Sequence, residues 1–327
     1  MTDSQLHVGL DSRMSAAAEL LGPLATLGVS LRTLTTFRVG GAADILVRVN
    51  SLADMSVVAD AVRTTGVPVL VVGQGSNLLV SDEGVRAIVV ILGGEFGETT
   101  FPTVDDGAES DSLELTAGGG VKLPVLARQA ASRGIGGLEW MVGVPGSVGG
   151  AVRMNAGGHG SDVAHNLIRV ALWSLDERKV TVRDAQSLHL GYRNSDLRDS
   201  DVVLTATFQV TTCDPSGAEA ELSEIVRWRR EHQPGGANCG SVFTNPPGDS
   251  AGRLIDAAGL RGLRLGTAAV SEKHANFIQA DEDASAADIW ALIIAVRSRV
   301  FDTFGVVLHP EVRTAGFDAV VPDLPPN

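Results

Sequence analysis

Cysteine is nearly absent from this chain: only Cys213 and Cys239 occur in 327 residues. Two thiols are too few for a disulfide framework or a zinc cluster, so no metal site is expected. Apolar runs are short, none approaching the ~20 residues needed to cross a bilayer. The opening "MTDSQLHVGLDSRM" has neither a basic start nor an apolar core, so a signal peptide is not expected and a cytoplasmic location is. Basic charge is scarce as well, with 26 Lys and Arg against 39 Asp and Glu and a net charge of −13. Binding to phosphate backbones needs a basic surface, which argues against nucleic acid as a partner. A small anionic ligand stays open, because a few arginines in one cleft overcome a negative surround.

Aromatics amount to 4% of residues, whereas glycine occurs 38 times and apolar residues make up 44%. That balance implies cores of Val, Leu, Ile and Ala, with many tight turns or close backbone–ligand approaches. The length allows two or three domains.

Residues 1–30 read as a leader with one helical stretch, "MSAAAELLGPLATLG". A strand follows the Gly-Gly turn in "TTFRVGGAADILVRV". "SLADMSVVADAVRTTG" has Ser51 and Asp54 at capping-box spacing, an apolar face of Val57, Val58, Ala61 and Val62, and a stop at Gly66, which predicts a helix. "VPVLVVG" reads as a buried strand, followed by the loop "QGSN" and the strand region "LLVSDEGVRAIVVIL". Further on, "LPVLARQAASRG" predicts a helix, "IRVALWSL" and "KVTVRD" a hairpin, and "DVVLTATFQV" a strand. "EAELSEIVRWRREHQP" has the basic end of a helix C-terminus. "AGRLIDAAG" predicts a helix closed by Gly259. "DASAADIWALIIAVRSRVFDTFG" predicts a long amphipathic helix whose core stripe is Ile289, Leu292, Ile293, Val296, Val300 and Phe304.

Two glycine-rich loops invite a ligand. "VVGQGSN" places Gly73, Gln74, Gly75, Ser76 and Asn77 after an apolar strand, where a sharp turn leaves N–H groups to converge on an anion. The second tract, "GVPGSVGGAVRMNAGG", is neither a P-loop nor a dinucleotide fingerprint that opens a long helix. Two such loops suit one long ligand, such as a dinucleotide, gripped at two places.

Seven stretches then occur in a telling order: "TTFRVGG", "VVGQGSNLLVSD", "GLEWMVGVPGSVGGAVRMNAG", "GYRNS", "NCGSVFTNP", "AVSEKHANFI" and "FGVVLHPEVR". Together, over about residues 25–316, they resemble the UDP-N-acetylenolpyruvoylglucosamine reductases, flavoenzymes of peptidoglycan precursor synthesis, of the shorter type that lacks an extra substrate-covering loop. The resemblance implies an α+β fold: a two-subdomain FAD-binding module of the PCMH type plus a C-terminal α+β substrate domain. Its expected bounds are a leader at 1–30, the FAD module at 31–212 (subdomains about 31–95 and 96–212), the substrate domain at 213–316 and a flexible tail at 317–327. It implies non-covalent FAD and NADPH as co-substrate. Hydride would pass from NADPH through FAD to the enolpyruvyl double bond of the UDP-sugar, giving UDP-N-acetylmuramate. A monomer is expected, with no membrane insertion.

By resemblance FAD contacts fall on Arg38, Gly40, Gly73, Gln74, Gly75, Ser76, Asn77, Gly143, Gly146, Ser147, Gly149, Asn155 and Gly157. Arg193 of "GYRNS" and Glu311 of "HPEVR" would flank the substrate carboxylate. Ser241 would deliver a proton to the carbon left negative by hydride addition. A carboxylate beside a carboxylate requires Glu311 to be protonated or balanced by Arg193. Arg229 is the candidate for the UDP diphosphate, Asn245 a second contact, and His274 a neighbour of the uracil or sugar.

Taken without the resemblance, each residue has a plainer reading. Ser241 would satisfy local backbone, Arg193 would pair with Asp196 or Asp199 at the surface, and Glu311 would be an exposed strand charge. No "GxSxG" motif marks Ser241 as a nucleophile. Cys239 reads as a small filler, and His159 and His165 lack metal-ligand spacing. Thr244 and His232 stand where family members often carry lysine, which puts substrate affinity rather than hydride chemistry in question. Two alternatives remain: an FAD-linked oxidase of the same cofactor fold, and a non-catalytic nucleotide-sugar sensor.

Overall fold

The computed structural model describes residues 11–103 and 112–317. The chain groups into two compact units, and it passes between them more than once. The first unit takes Met1–Leu27, Asp44–Gln74 and Ala87–Arg229; the second takes Gly28–Ala43, Gly75–Arg86 and Arg230–Asn327. The expected tail is described only at Phe317; its remaining residues lie outside the described ones.

In the first unit, α1 (Ser12–Leu21) starts where the Asp11 carboxylate accepts the Met14 N–H at 2.9 Å, which satisfies an otherwise orphaned donor. This leader helix buries Met14, Ala17, Ala18 and Leu21. Strands β1 (Ala25–Ser30) and β2 (Ala42–Val49) follow. Helix α2 (Leu52–Thr65) begins at Ser51, whose hydroxyl accepts the Asp54 N–H at 3.2 Å, and ends at Gly66 with φ 67°. Its inward face is Met55, Val58, Ala59 and Ala61. Val57 and Val62, expected on that face, are only half-buried, because the packed stripe is rotated toward Met55 and Ala59.

Next come β3 (Val69–Val71) and β5 (Val85–Leu92), with β4 (Leu78–Val80) between them in the chain but part of the second unit. The sheet order is β1-β2-β5-β3, with β3 parallel to β5. The buried strand expected at "VPVLVVG" is corrected here: β3 is an edge strand with one neighbour, and Val71 is 37% exposed.

The rest of the first unit runs through β6 (Thr99–Thr100), β7 (Leu113–Gly118), α3 (Leu123–Ala131) and β8 (Ile135–Gly136). Then come α4 (Val148–Met154), β9 (Gly157–Gly158), β10 (Ser161–Asp162) and α5 (Val163–Asn166). Strands β11 (Leu167–Ser174), β12 (Lys179–Asp184) and β13 (Asp201–Thr212) complete an antiparallel sheet ordered β12-β11-β13-β7-β6, with β8 on β13. Leu115, Leu126, Met141 and Phe208 are buried in its core. Helix α6 (Pro215–His232) adds Leu222 and Ile225 to that core.

The second unit holds α7 (Ala251–Ala257), β14 (Arg264–Leu265), β15 (Ala268–Val270), β16 (Ile278–Ala280), α8 (Ala286–Phe304) and β17 (Arg313–Ala315). β14, β15 and β16 form an antiparallel sheet, and β17 runs parallel to β4 with Arg313 opposite Leu78. Helix α7 is followed by Gly259 at φ 69°. Helix α8 is capped by Ser285 and stopped by Gly305 at φ 71°. The Asp82 carboxylate also accepts the Ala286 and Ala287 N–H groups at 2.9 and 3.0 Å, complementing the positive helix end. Ile289, Leu292, Ile293, Val296 and Val300 are core, as the spacing predicts, but Phe304 in the last turn is 39% exposed. There the stripe has run past the elements that α8 packs against.

Candidate active site

In the first unit the two glycine loops meet. Gly73 lies so close to Ser147 that a Cβ on it would stand 2.3 Å from Ser147 Oγ. Ser147 in turn starts α4, its hydroxyl accepting the Gly150 N–H, while the Gly149 N–H donates to the Gly119 carbonyl at 2.8 Å. A cavity of about 80 Å³ lies between these loops, lined among others by Gly73, Gln74, Gly119, Gly120, Ser147 and Gly149. Glycine backbone forms part of its wall, with Ile91, Leu92, Val203, Arg153 and Asp201 completing it, and the glycines allow a close approach by a phosphate-bearing chain. The Gly146 carbonyl accepts the Leu123 N–H at 3.0 Å and thereby fixes the turn before α4.

Gly143 is packed as tightly. A Cβ there would meet the His159 ring at 2.6 Å and Ile225 Cγ2 at 2.9 Å. Its carbonyl accepts from the Arg229 guanidinium, so Arg229, the diphosphate candidate, is engaged with the second glycine tract. Burial pulls Arg229 below the usual arginine range. Burial, then the Arg229 charge, pulls His159 down as well. The His159 ring meets Trp228 edge-on, with centroids 5.2 Å apart, which is the packing of a neutral aromatic.

Arg193 is also in the first unit. It sits at φ 57° in the "GYRNS" turn, and its guanidinium donates to the Gly157 carbonyl at 3.3 Å. Gly157 is pressed against Asp162, where a Cβ would lie 2.6 Å from Asp162 Cβ. Asn155, expected on the cofactor, is buried and makes three side-chain hydrogen bonds within the protein. His165 is the third residue of the short helix α5, its N–H held by Asp162.

In the second unit, Gly75 has φ 56°, and a Cβ on it would stand 2.0 Å from the Leu34 carbonyl oxygen. Its own carbonyl accepts the Thr36 N–H at 3.2 Å. Thr36 Oγ1 is buried without a hydrogen-bond partner among the described residues, an orphan that a bound group beside Gly75 would satisfy. Gly40, at φ 108°, faces Val80 with no room for a Cβ. Arg38 is exposed at φ 56°, its carbonyl held by Arg32 Nε at 2.8 Å. Ser76 is half-buried between Gly75 and Asn77.

The same unit brings the Ser241 and Glu311 segments side by side. The Glu311 N–H donates to the Val242 carbonyl at 2.7 Å, Phe243 pairs antiparallel with Pro310, and the Thr244 N–H donates to the His309 carbonyl at 3.0 Å. On the far side, Asn276 clamps the serine segment. Its side chain accepts the Phe243 N–H at 3.0 Å and donates to the Phe243 carbonyl at 2.8 Å, while its own carbonyl accepts the Val242 N–H. Nothing in "KHANF" distinguishes that buried asparagine from an exposed one, so the sequence reading passed over it. Thr244 Oγ1 bonds the His309 carbonyl at 3.3 Å, and His232 ends α6.

Asn245 uses its side-chain oxygen on the Ala251 N–H at 3.0 Å, near the start of α7. His274 packs its ring edge on Phe277 at 4.7 Å, and burial, then the Arg261 charge, lowers its basicity. Cys239 is buried, and burial, then the Glu311 carboxylate, pushes its thiol well above the usual range. A buried, protonated thiol is a poor nucleophile, which fits the reading of Cys239 as a small filler. No group of three His, Cys, Asp or Glu with metal-binding geometry occurs among the described residues. No helix among them is long and apolar enough to cross a membrane.

These features define a flavin-dependent oxidoreductase fold. Residues 43–182 match the FAD binding domain family, and residues 232–315 match the UDP-N-acetylenolpyruvoylglucosamine reductase C-terminal domain. A reductase of that name from Heliobacterium modesticaldum is 42% identical over 86% of this chain and 88% of its own. One from Rubrobacter xylanophilus is 39% identical over 90% and 97%. The crystal structure of the Thermus caldophilus reductase superposes with a TM-score of 0.73 at 35% identity, covering 89% of this chain and 98% of that one. The chain belongs to the UDP-N-acetylenolpyruvoylglucosamine reductase family.

Proposed function

We propose that this chain reduces the enolpyruvyl group of UDP-N-acetylenolpyruvoylglucosamine with NADPH, giving UDP-N-acetylmuramate for peptidoglycan precursor synthesis. The glycine cradle around Gly73, Ser147 and Gly149 fits FAD, which supplies hydride transfer when bound. Asn77 ends the first glycine loop, and Gly157 closes the second glycine tract. The observation that most supports the reading is the pairing of the Ser241 and Glu311 segments, on a chain whose full-length relatives carry the reductase name.

Hydride adds to the terminal carbon of the double bond, and the displaced electron pair moves onto the carboxylate as an enediolate. Arg193 offers a fixed cation to that developing charge. The Ser241 hydroxyl gives its proton to the carbon beside the carboxylate and is reprotonated from solvent. Glu311 is assigned to the substrate carboxylate, a role that requires its acid group to be protonated or charge-balanced. Arg229, Asn245 and His274 belong to the sugar-nucleotide side of this reading, which also takes the enzyme as cytoplasmic and monomeric.

Turnover in deuterated water tests the reading. The product should carry two added hydrogens, with deuterium at the carbon beside the carboxylate, and Ser241→Ala should lower turnover by ~10²–10⁴. An unreduced sugar nucleotide, or a Ser241→Ala protein turning over at the parent rate, contradicts it. Sedimentation as a dimer would contradict the monomer.

A further inference from the structure

We infer that Asn155 is a positioning residue for Arg193 rather than a ligand of the cofactor. Asn155 ends α4 at φ 39° and is 4% exposed. Its side-chain amide donates to Asp162 Oδ2 at 3.2 Å and to the Gly191 carbonyl at 3.0 Å. Its oxygen accepts the Ala164 N–H at 2.9 Å. Both donors are thus engaged on the protein, and none is left for a phosphate. The orientation is fixed by the partners, because a flipped amide would set its oxygen against a carbonyl and a carboxylate.

Gly191 begins the turn that carries Arg193. Gly191 and Asn194 exchange backbone hydrogen bonds at 3.1 and 3.2 Å, and Arg193 between them has a left-handed φ of 57°. A non-glycine residue there is strained and persists only when its surroundings hold it. The hold comes from the end of α4 on both sides. Asn155 grips Gly191 before the arginine, and the Arg153 carbonyl accepts the Ser195 hydroxyl at 2.7 Å after it. The Arg153 guanidinium extends the grip to the Arg198 and Asp201 carbonyls. The glycine tract therefore aims the arginine as well as lining the cavity.

The inference rests on the proposed role of Arg193 at the substrate carboxylate. It is tested in the FAD-loaded enzyme by separating the two half-reactions. Asn155→Asp keeps the left-handed tolerance and the acceptor for Ala164 but removes both donors. We expect it to retain FAD, to be bleached by NADPH within ~2-fold of the parent rate, and to recolour with the sugar nucleotide ~10–100-fold more slowly. In an Arg193→Ala background the same change should slow recolouring less than ~2-fold, since residues acting as one unit are not additive. Asn155→Gly, which tolerates the backbone angle, should behave alike. Fully additive losses overturn the inference, as does loss of FAD or equally slowed bleaching in both variants, which would make Asn155 a cofactor residue. A parent enzyme that fails to recolour with the sugar nucleotide contradicts the proposed function instead.

Discussion

The side-chain amide of Asn77 donates to the Glu311 carbonyl at 3.0 Å, and its backbone carbonyl accepts the Arg313 N–H at 3.0 Å. Two bonds from one residue of the "QGSN" loop thus set the start of β17 on β4. Glu311 is held from the other side by Val242, so its position is over-determined along the backbone. Asn77→Ala should cost ~1 kcal/mol of stability, the net value of one hydrogen bond. It should also slow flavin reoxidation by the sugar nucleotide more than flavin reduction by NADPH. Stopped-flow comparison of the two rates checks this, and equal slowing would tie Asn77 to the cofactor instead.

Glycines in the site differ in what they tolerate. At Gly75 an added Cβ meets backbone at 2.0 and 2.8 Å, whereas at Gly240, with φ 83°, nothing lies within 4 Å. Gly240→Ala should therefore cost only the left-handed penalty, ~1–2 kcal/mol. Gly75→Ala must displace the Leu34–Thr35 backbone too, and should cost more than that and release FAD. Thermal unfolding and retained flavin colour distinguish the two; similar losses at both sites would contradict the packing argument.

The half-buried His274 sets an acid limit, to which the exposed His159 adds less. His159 and His274 both have basicity lowered, first by burial and then by a neighbouring arginine. Their unfolded pKa is ~6.5, so the unfolded chain takes up protons first as pH falls. The stability that the neutral rings represent is full above pH ~6.5 and is lost as pH falls toward their folded values. Melting temperature should drop between pH 7 and 5, and the drop should be shallower in His274→Gln. An equal drop in that variant would remove His274 from the account.

Much of this was legible in the sequence because the signals were local. Ser51, Gly66 and Gly305 delimit helices through bonds and angles within a few residues. The glycine loops were legible for the same reason. Partnerships across long sequence separations were not. Asn155 with Gly191 and Asn276 with Phe243 depend on tertiary placement, and nothing near an asparagine says whether its amide faces a ligand or a carbonyl. The edge position of β3 and the exposed end of the α8 stripe likewise follow from which elements pack nearby, not from hydrophobic pattern.

The most direct test follows the flavin colour of the purified enzyme without oxygen. NADPH should bleach it, and UDP-N-acetylenolpyruvoylglucosamine should restore it rapidly in the parent but not in Ser241→Ala. Rapid recolouring by air with no response to the sugar nucleotide would contradict the account and make the protein an oxidase.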